Sequence, residues 1–152
     1  MAKLYTDGGC SPNPGPGGWA FILEDGENTV DGAGGAMETT NNRMEMIAVI
    51  RGLEAAKAGS AVELVADSQY VVKGLTEWSK GWKASGWTRK VKGKSKPVMN
   101  VDLWKRLDEL AGGFDLTCTW VKGHSGHPRN EQCDRMVNEV REALLRGEPV
   151  PE

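Results

Sequence analysis

The sequence predicts a mixed α/β domain, one sheet with both antiparallel and parallel strands and helices on its faces. Three observations predict it. The stretch as far as Met37 holds three short strand-like runs joined by turn signals. The rest of the chain alternates helical periodicity with strand-like runs, and two of the strand-like runs stop at an aspartate, Asp7 and Asp67. At 152 residues, with 39% hydrophobic and 26% charged, the chain can fill one ordinary core and not two. One domain is therefore expected over 1–145, followed by a flexible tail, R-G-E-P-V-P-E, at 146–152.

Each element has its own signal. Lys3 to Thr6 reads as a short strand ending at Asp7. Gly18 to Leu23 and Thr29 to Met37 read as two more, with the D-G of Asp25 and Gly26 as the hairpin turn between them. From Thr40 the period changes: Met46, Val49, Ile50 and Leu53 recur as one buried face of a helix, Thr40 to Asn42 supply capping chemistry, and Gly59 ends the run. Val62 to Ala66 is a buried strand stopping at Asp67, and Ser68 caps a short helix through Gly74. A helix over Val98–Ala111, a strand over Leu116–Val121, the loop G-H-S-G-H-P and a final helix over Glu131–Leu145 complete the chain. That last helix is expected to bury Cys133, Met136 or Val137, Val140 and Leu144.

Charge is unevenly placed. The net charge is −2, yet the segment between Trp78 and Val101 carries seven Lys or Arg and no acid, leaving 12 basic and 21 acidic side chains elsewhere. Such a cluster is ordinarily a solvated face. Here Trp78, Trp82 and Trp87 are threaded through it, a combination suited to a nucleic-acid backbone because cations meet phosphates while indoles cover sugars or bases. The same indoles could equally form a small core holding the segment to the body. Cys10, Cys118 and Cys133 are odd in number and lack C-x-x-C spacing, which argues against a disulfide framework and a zinc site and for reduced packing residues. The amino terminus carries no signal-peptide run and no eighteen apolar residues occur together, so a cytoplasmic protein with no membrane partner is expected.

The glycine-rich stretch T-D-G-G-C-S-P-N-P-G-P-G-G-W-A, Thr6 to Ala20, lacks the lysine of a P-loop and the strand-to-helix setting of a dinucleotide fingerprint. It should turn one antiparallel strand into the next while Asp7 stands at its mouth. Asp7 and Asp67 end central strands, where open α/β sheets place their ligand sites. Glu45 and Asp134 stand at the borders of buried helix faces. Four carboxylates aimed at one place would repel one another unless cations bound between them, the outline of a magnesium site. Any one acid alone is ordinarily an exposed residue or a cap.

T-D-G in the first strand, T-N-N-R-M-E entering the first long helix, D-S-Q-Y-V, N-V-D-L-W, W-V-K-G-H-S-G-H and N-E-Q-C-D, in this order from about Leu4 to Asn138, resemble type 1 ribonuclease H. That family cuts the RNA strand of RNA/DNA hybrids. The resemblance implies a ribonuclease H-like fold, a five-stranded mixed sheet with its first three strands antiparallel, flanked by helices, with a basic protrusion at about 78–97. It implies metal ligands at Asp7, Glu45, Asp67 and Asp134 holding two Mg²⁺ ions, with Mn²⁺ as the alternative, and a proton-shuttling or product-releasing His124. His127 would brace the loop.

The same resemblance implies contacts to the hybrid. Asn13, Asn41, Asn42 and Gln69, with backbone from Gly8 to Cys10, match groove contacts to the 2′-hydroxyl strand. Thr40, Arg43 and Asn100 match a pocket for a phosphate of the DNA strand, which Trp78, Trp82 and the lysines also meet. Helix capping is the competing role for the asparagines. A monomer is expected, acting as an endonuclease on RNA/DNA hybrids with 5′-phosphate and 3′-hydroxyl products. The alternatives are another nuclease of the same fold, such as a junction resolvase or integrase core, and a non-catalytic hybrid-binding protein.

Overall fold

The computed structural model describes residues 1–123 and 126–151. Three strands come first: β1 (Ala2–Cys10), β2 (Gly15–Asp25) and β3 (Asn28–Thr39). Helix α1 (Asn41–Ala55) and β4 (Ala61–Ala66) follow. A continuous helical stretch then comprises α2 (Gln69–Lys73), a π-helical turn (Gly74–Trp78) and α3 (Ser79–Ala84). The hairpin β5 (Thr88–Val91) and β6 (Lys94–Pro97), α4 (Val101–Ala111), β7 (Asp115–Trp120) and α5 (Pro128–Leu145) complete the fold. The five-stranded sheet has the order β3-β2-β1-β4-β7. β1, β2 and β3 pair antiparallel, while β4 is parallel to both β1 and β7. The mixed sheet expected from the sequence is the one found.

Alternation along the strands supplies two hydrophobic layers. Leu4, Trp19, Phe21, Leu23, Val62 and Leu64 face α1 and α4, where Met46, Val49, Leu53, Trp104 and Leu107 meet them. Ala20 and Ile22 face the other way, onto Cys133 and Val137 of α5. Each such fully buried aliphatic side chain contributes about 1.5–3 kcal/mol relative to exposure. The stripe expected on α1 is buried as read. On α5, Cys133 and Val137 are buried, whereas Met136, Val140 and Leu144 are half-buried.

Several boundaries differ from the sequence reading, each for a physical reason. β1 does not stop at Asp7. Its parallel ladder with β4 ends at Thr6 and Ala66, but its antiparallel ladder with β2 continues through Gly8, Gly9 and Cys10. Most of the glycine-rich stretch is therefore strand, with only the short S-P-N-P segment between β1 and β2. The helix capped by Ser68 does not end at Gly74, because the Trp104 ring occupies the space where a Cβ would project and the glycine lets the helical run pass it as a π turn. α4 begins at Val101 rather than Val98, after Asn100 in the left-handed region at φ 58. α5 begins at Pro128, whose ring suits the first helical position.

The basic segment folds as a hairpin the sequence reading did not expect. Lys92 and Gly93, at φ 53 and 78, form its two-residue turn with both residues left-handed, the geometry that matches strand twist. Lysine-rich strands have weak intrinsic propensity, so the pattern was not conspicuous. At the other edge of the sheet, the chain after α5 brings the Pro151 carbonyl to the Gly35 N–H of β3 at 2.7 Å.

Candidate active site

The register of the sheet creates the site. Because Thr6 pairs with Ala66 in the parallel ladder, Asp7 and Asp67 emerge side by side where it ends. α1 crosses this point so closely that a Cβ on Gly8 would overlap the backbone of Met44 and Glu45. Only glycine permits that approach, and the approach delivers Glu45. Oxygens of Asp7, Glu45 and Asp67 consequently lie within 4.8 Å of one another. Asp134, one turn and a half into α5, lines the same cleft and reaches Asp7, but stands outside that trio. Gly8→Ala is expected to push α1 off β1, costing about 1–3 kcal/mol as overpacking does. Thermal unfolding and turnover should fall together, and a variant keeping both would refute the packing argument.

The electrostatics are those of a cluster short of positive charge. Burial and then the Asp67 charge push the Asp7 carboxyl up from its ordinary 3.8 to about 7, with Asp134 adding to the rise and the Gly8 N–H opposing it. That N–H donates to Asp7 Oδ1 at 2.9 Å. Burial, then Asp7, then Asp67 hold Glu45 well above the usual carboxylate range. Crowded, partly desolvated carboxylates offer hard oxygen ligands and gain most from a divalent cation, so the donor set fits Mg²⁺ or Mn²⁺ rather than a metal that prefers nitrogen or sulfur. Cys133, whose thiol burial pushes up to about 12, and Cys118, pushed to about 11, are inert packing groups. All three cysteines are free thiols.

Two side chains that the sequence reading did not assign brace the site. Trp120, at the end of β7, donates its indole N–H to the Asp67 carbonyl at 3.0 Å. Asn130 donates to the Val65 carbonyl at 3.1 Å, tying the first turn of α5 to β4. Their sequence signal was that they open the blocks W-V-K-G-H-S-G-H and N-E-Q-C-D.

The remaining predicted residues fall into distinct places. Asn41 accepts from the Cys10 N–H at 2.7 Å, and Asn13 accepts from the Asn41 N–H at 3.3 Å, so the turn after β1 is fastened to the start of α1 beside the acids. Thr40 is the cap of α1, accepting from the Arg43 N–H at 3.2 Å; Asn42 is exposed. Arg43 reaches Asn100 Oδ1 at 3.3 Å and pairs with both oxygens of Asp102 at 3.0 and 2.8 Å. Gln69 is apart from these, in a groove with Trp120 and Lys73. His124 lies outside the described residues.

The tryptophans divide between the two roles weighed for them. Trp82 packs on the fully buried Trp104, with ring centroids 5.4 Å apart, and Trp87 is half-buried against the core. Trp78 is exposed, 5.8 Å from Trp82, and together with Tyr70, Arg89 and Met99 it lines a cavity of about 400 Å³ at the base of the basic hairpin. Lys83 is tied to Asp108 at 3.0 Å, whereas the lysines of β5 and β6 point into solvent.

Comparison with known proteins agrees with this geometry. The RNase H family model matches residues 1–142. Ribonuclease H of Hahella chejuensis (strain KCTC 2396) is 52% identical over 143 residues, covering 93% of this chain and 95% of its own. Ribonuclease H of Methylorubrum extorquens (strain PA1) is 51% identical over 144 residues; the match takes in 95% of this chain but 61% of that longer protein. Among solved structures, LC9-RNase H1, a type 1 RNase H with the type 2 active-site motif, superposes with a TM-score of 0.79 at 27% identity over 98% of this chain and 74% of its own. LC11-RNase H1, solved in complex with an RNA/DNA hybrid, gives 0.70 at 25% identity over 95% of this chain and 99% of its own. Fold, carboxylate trio and sequence agree in one conclusion: the chain belongs to the RNase H family.

Proposed function

We propose that this chain is a divalent-metal-dependent endonuclease that hydrolyses the RNA strand of RNA/DNA hybrids, leaving 5′-phosphate and 3′-hydroxyl ends. The observation that carries the reading is the convergence of Asp7, Glu45 and Asp67 within 4.8 Å, with Asp134 beside them. These four acids would hold two Mg²⁺ ions, or Mn²⁺, which when bound supply an activated water and charge stabilisation of the departing 3′ oxygen. The RNase H family and the hybrid complex of LC11-RNase H1 support the substrate.

The chain's own residues do the rest. Gly8 fixes one oxygen of Asp7, and Trp120 fixes the backbone from which Asp67 projects. The linked Cys10, Asn13 and Asn41 present short polar groups to the minor groove, where the 2′-hydroxyl distinguishes RNA from DNA. The exposed Asn42 extends that surface, and Gln69 meets the groove from its separate position beside Trp120. Thr40, Arg43 and Asn100 grip a phosphate of the DNA strand, which runs on toward Trp78, Trp82 and the basic hairpin. His124 moves a proton at the scissile phosphate or eases product away, work to which the histidine side chain is suited. The enzyme acts as a monomer in the cytoplasm.

The test sets a labelled RNA/DNA hybrid beside double-stranded DNA, double-stranded RNA and a four-way junction, with Mg²⁺ and with EDTA. Cleavage confined to the RNA of the hybrid, and lost in EDTA, is expected. Junction cleavage would make the chain a resolvase, and binding without any cleavage would make it a hybrid-binding protein.

A further inference from the structure

On α5, Asp134, Asn138 and Arg141 occur at i, i+4 and i+7, the stripe next to the buried Cys133 and Val137. At 1.5 Å per residue, Arg141 stands about 10 Å along the helix from Asp134. The stripe forms one wall of a groove of about 360 Å³ that starts at the acids and ends at Cys10 and Asn41. Arg141 donates from one terminal nitrogen to Asn138 Oδ1 at 3.3 Å. Its Nε is buried and, among the described residues, has no hydrogen-bond partner. Nor, among those residues, does a carboxylate pair with it, whereas Arg43, Arg129 and Arg146 are each held by one and Arg106 by two. Burial pushes the Cys10 thiol up, and the Arg141 charge is among the influences opposing it, so the positive field falls at the Cys10 end of the groove.

A buried donor without a partner and a cation without a counterion, on the wall of a groove, together ask for an anion. The planar guanidinium suits a phosphate. The separation from the acids corresponds to about three nucleotides at an axial rise of about 3.4 Å each, which a polymer spans and a mononucleotide does not.

We infer that Arg141 is a further substrate contact, binding a phosphate of the strand being cut about three nucleotides from the scissile position. This rests on the hybrid-cleaving reading above. The contact is independent of sequence, so it adds to affinity and salt dependence and not to the chemical step.

The experiment compares wild type with Arg141→Gln, Arg141→Met and Arg141→Lys on a labelled hybrid at fixed Mg²⁺, recording kcat, KM and the slope of log(kcat/KM) against log[KCl]. Both neutral variants should raise KM on the order of tenfold to a hundredfold, the loss of one charge-assisted hydrogen bond, with kcat within about twofold of wild type. The slope should become shallower by about one, the signature of one phosphate contact, and Arg141→Lys should retain the wild-type slope. Wild-type KM and slope in a folded neutral variant, or a loss of kcat at unchanged slope, would overturn the inference while leaving hybrid cleavage intact. Failure of the wild type to cut the hybrid would overturn the proposed function, and the inference with it.

Discussion

Asp7→Asn is expected to abolish most hybrid cleavage and, in the absence of divalent metal, to raise thermal stability at neutral and alkaline pH. The two effects have one cause. Asp7 sits at the centre of the carboxylate cluster, where burial and the Asp67 charge push it up to about 7 from 3.8. Between those values the folded state keeps a proton that the unfolded chain has released, so stability falls as pH rises through this window and the full penalty is present above about 7. At about 1.4 kcal/mol per unit, the penalty is on the order of a few kcal/mol at most. The amide removes it. The gain in Tm should therefore be small near pH 4, grow toward pH 7 and then level off. Mg²⁺ should stabilise the wild type at pH 8 and the variant much less, because a ligand that binds only the folded state stabilises by mass action. Substantial Mg²⁺-dependent cleavage by the variant would overturn the catalytic assignment. A pH-independent Tm difference would refute the electrostatic one.

Trp104→Ala carries the largest stability loss expected for a residue away from the acids. Trp104 is fully buried, donates its indole N–H to the Tyr70 hydroxyl at 3.1 Å and meets the Tyr70 and Trp82 rings at 5.4 Å each. Its ring also fills the space beside Gly74. Truncating a buried Trp costs about 3–5 kcal/mol, and at about 2–4 °C per kcal/mol for a chain of this size the Tm should drop by roughly 6–20 °C. Trp82 and Tyr70 rest on this ring and carry the base of the basic hairpin, so KM for the hybrid should rise as well. Trp104→Phe, which keeps an aromatic in place and loses only the N–H and part of the ring, should recover most of both losses. An unchanged Tm in Trp104→Ala would show that the cluster does not anchor the hairpin.

Sequence and structure agree most closely where periodicity is strong or where an element ends on a chemically distinctive residue. The stripe of α1 and the apolar run of β4 are legible because burial on one face or two imposes a pattern. Asp7 and Asp67 were legible as acids converging from neighbouring strands, though β1 runs on past Asp7; what places them side by side is the parallel register between β1 and β4, which no local pattern encodes. Glu45 is brought in by a glycine on a different element, Gly8, through a backbone contact invisible to side-chain periodicity. The hairpin of β5 and β6 was hidden because lysines give no alternation of apolar and polar residues. Trp120 and Asn130 could not be assigned since each acts on a backbone carbonyl, that of Asp67 just past β4 and that of Val65 within it. The tie between Arg43 and Asp102 joins residues 59 apart in sequence, and only the fold shows that the cation expected for phosphate is already shared with a carboxylate.

β3 lies at the open edge of the sheet, and its Gly34-Gly35 pair has no side chain to obstruct a neighbour. An exposed edge of this kind is a template on which another chain can add a strand. The Pro151 carbonyl already takes the Gly35 N–H, and it approaches so closely that a Cβ on Gly34 would collide with it. Proline has no N–H with which to extend the ladder. The residues after α5 thus cover one rung of the β3 edge, where the Gly35 N–H is already taken and is not open to a strand of another chain.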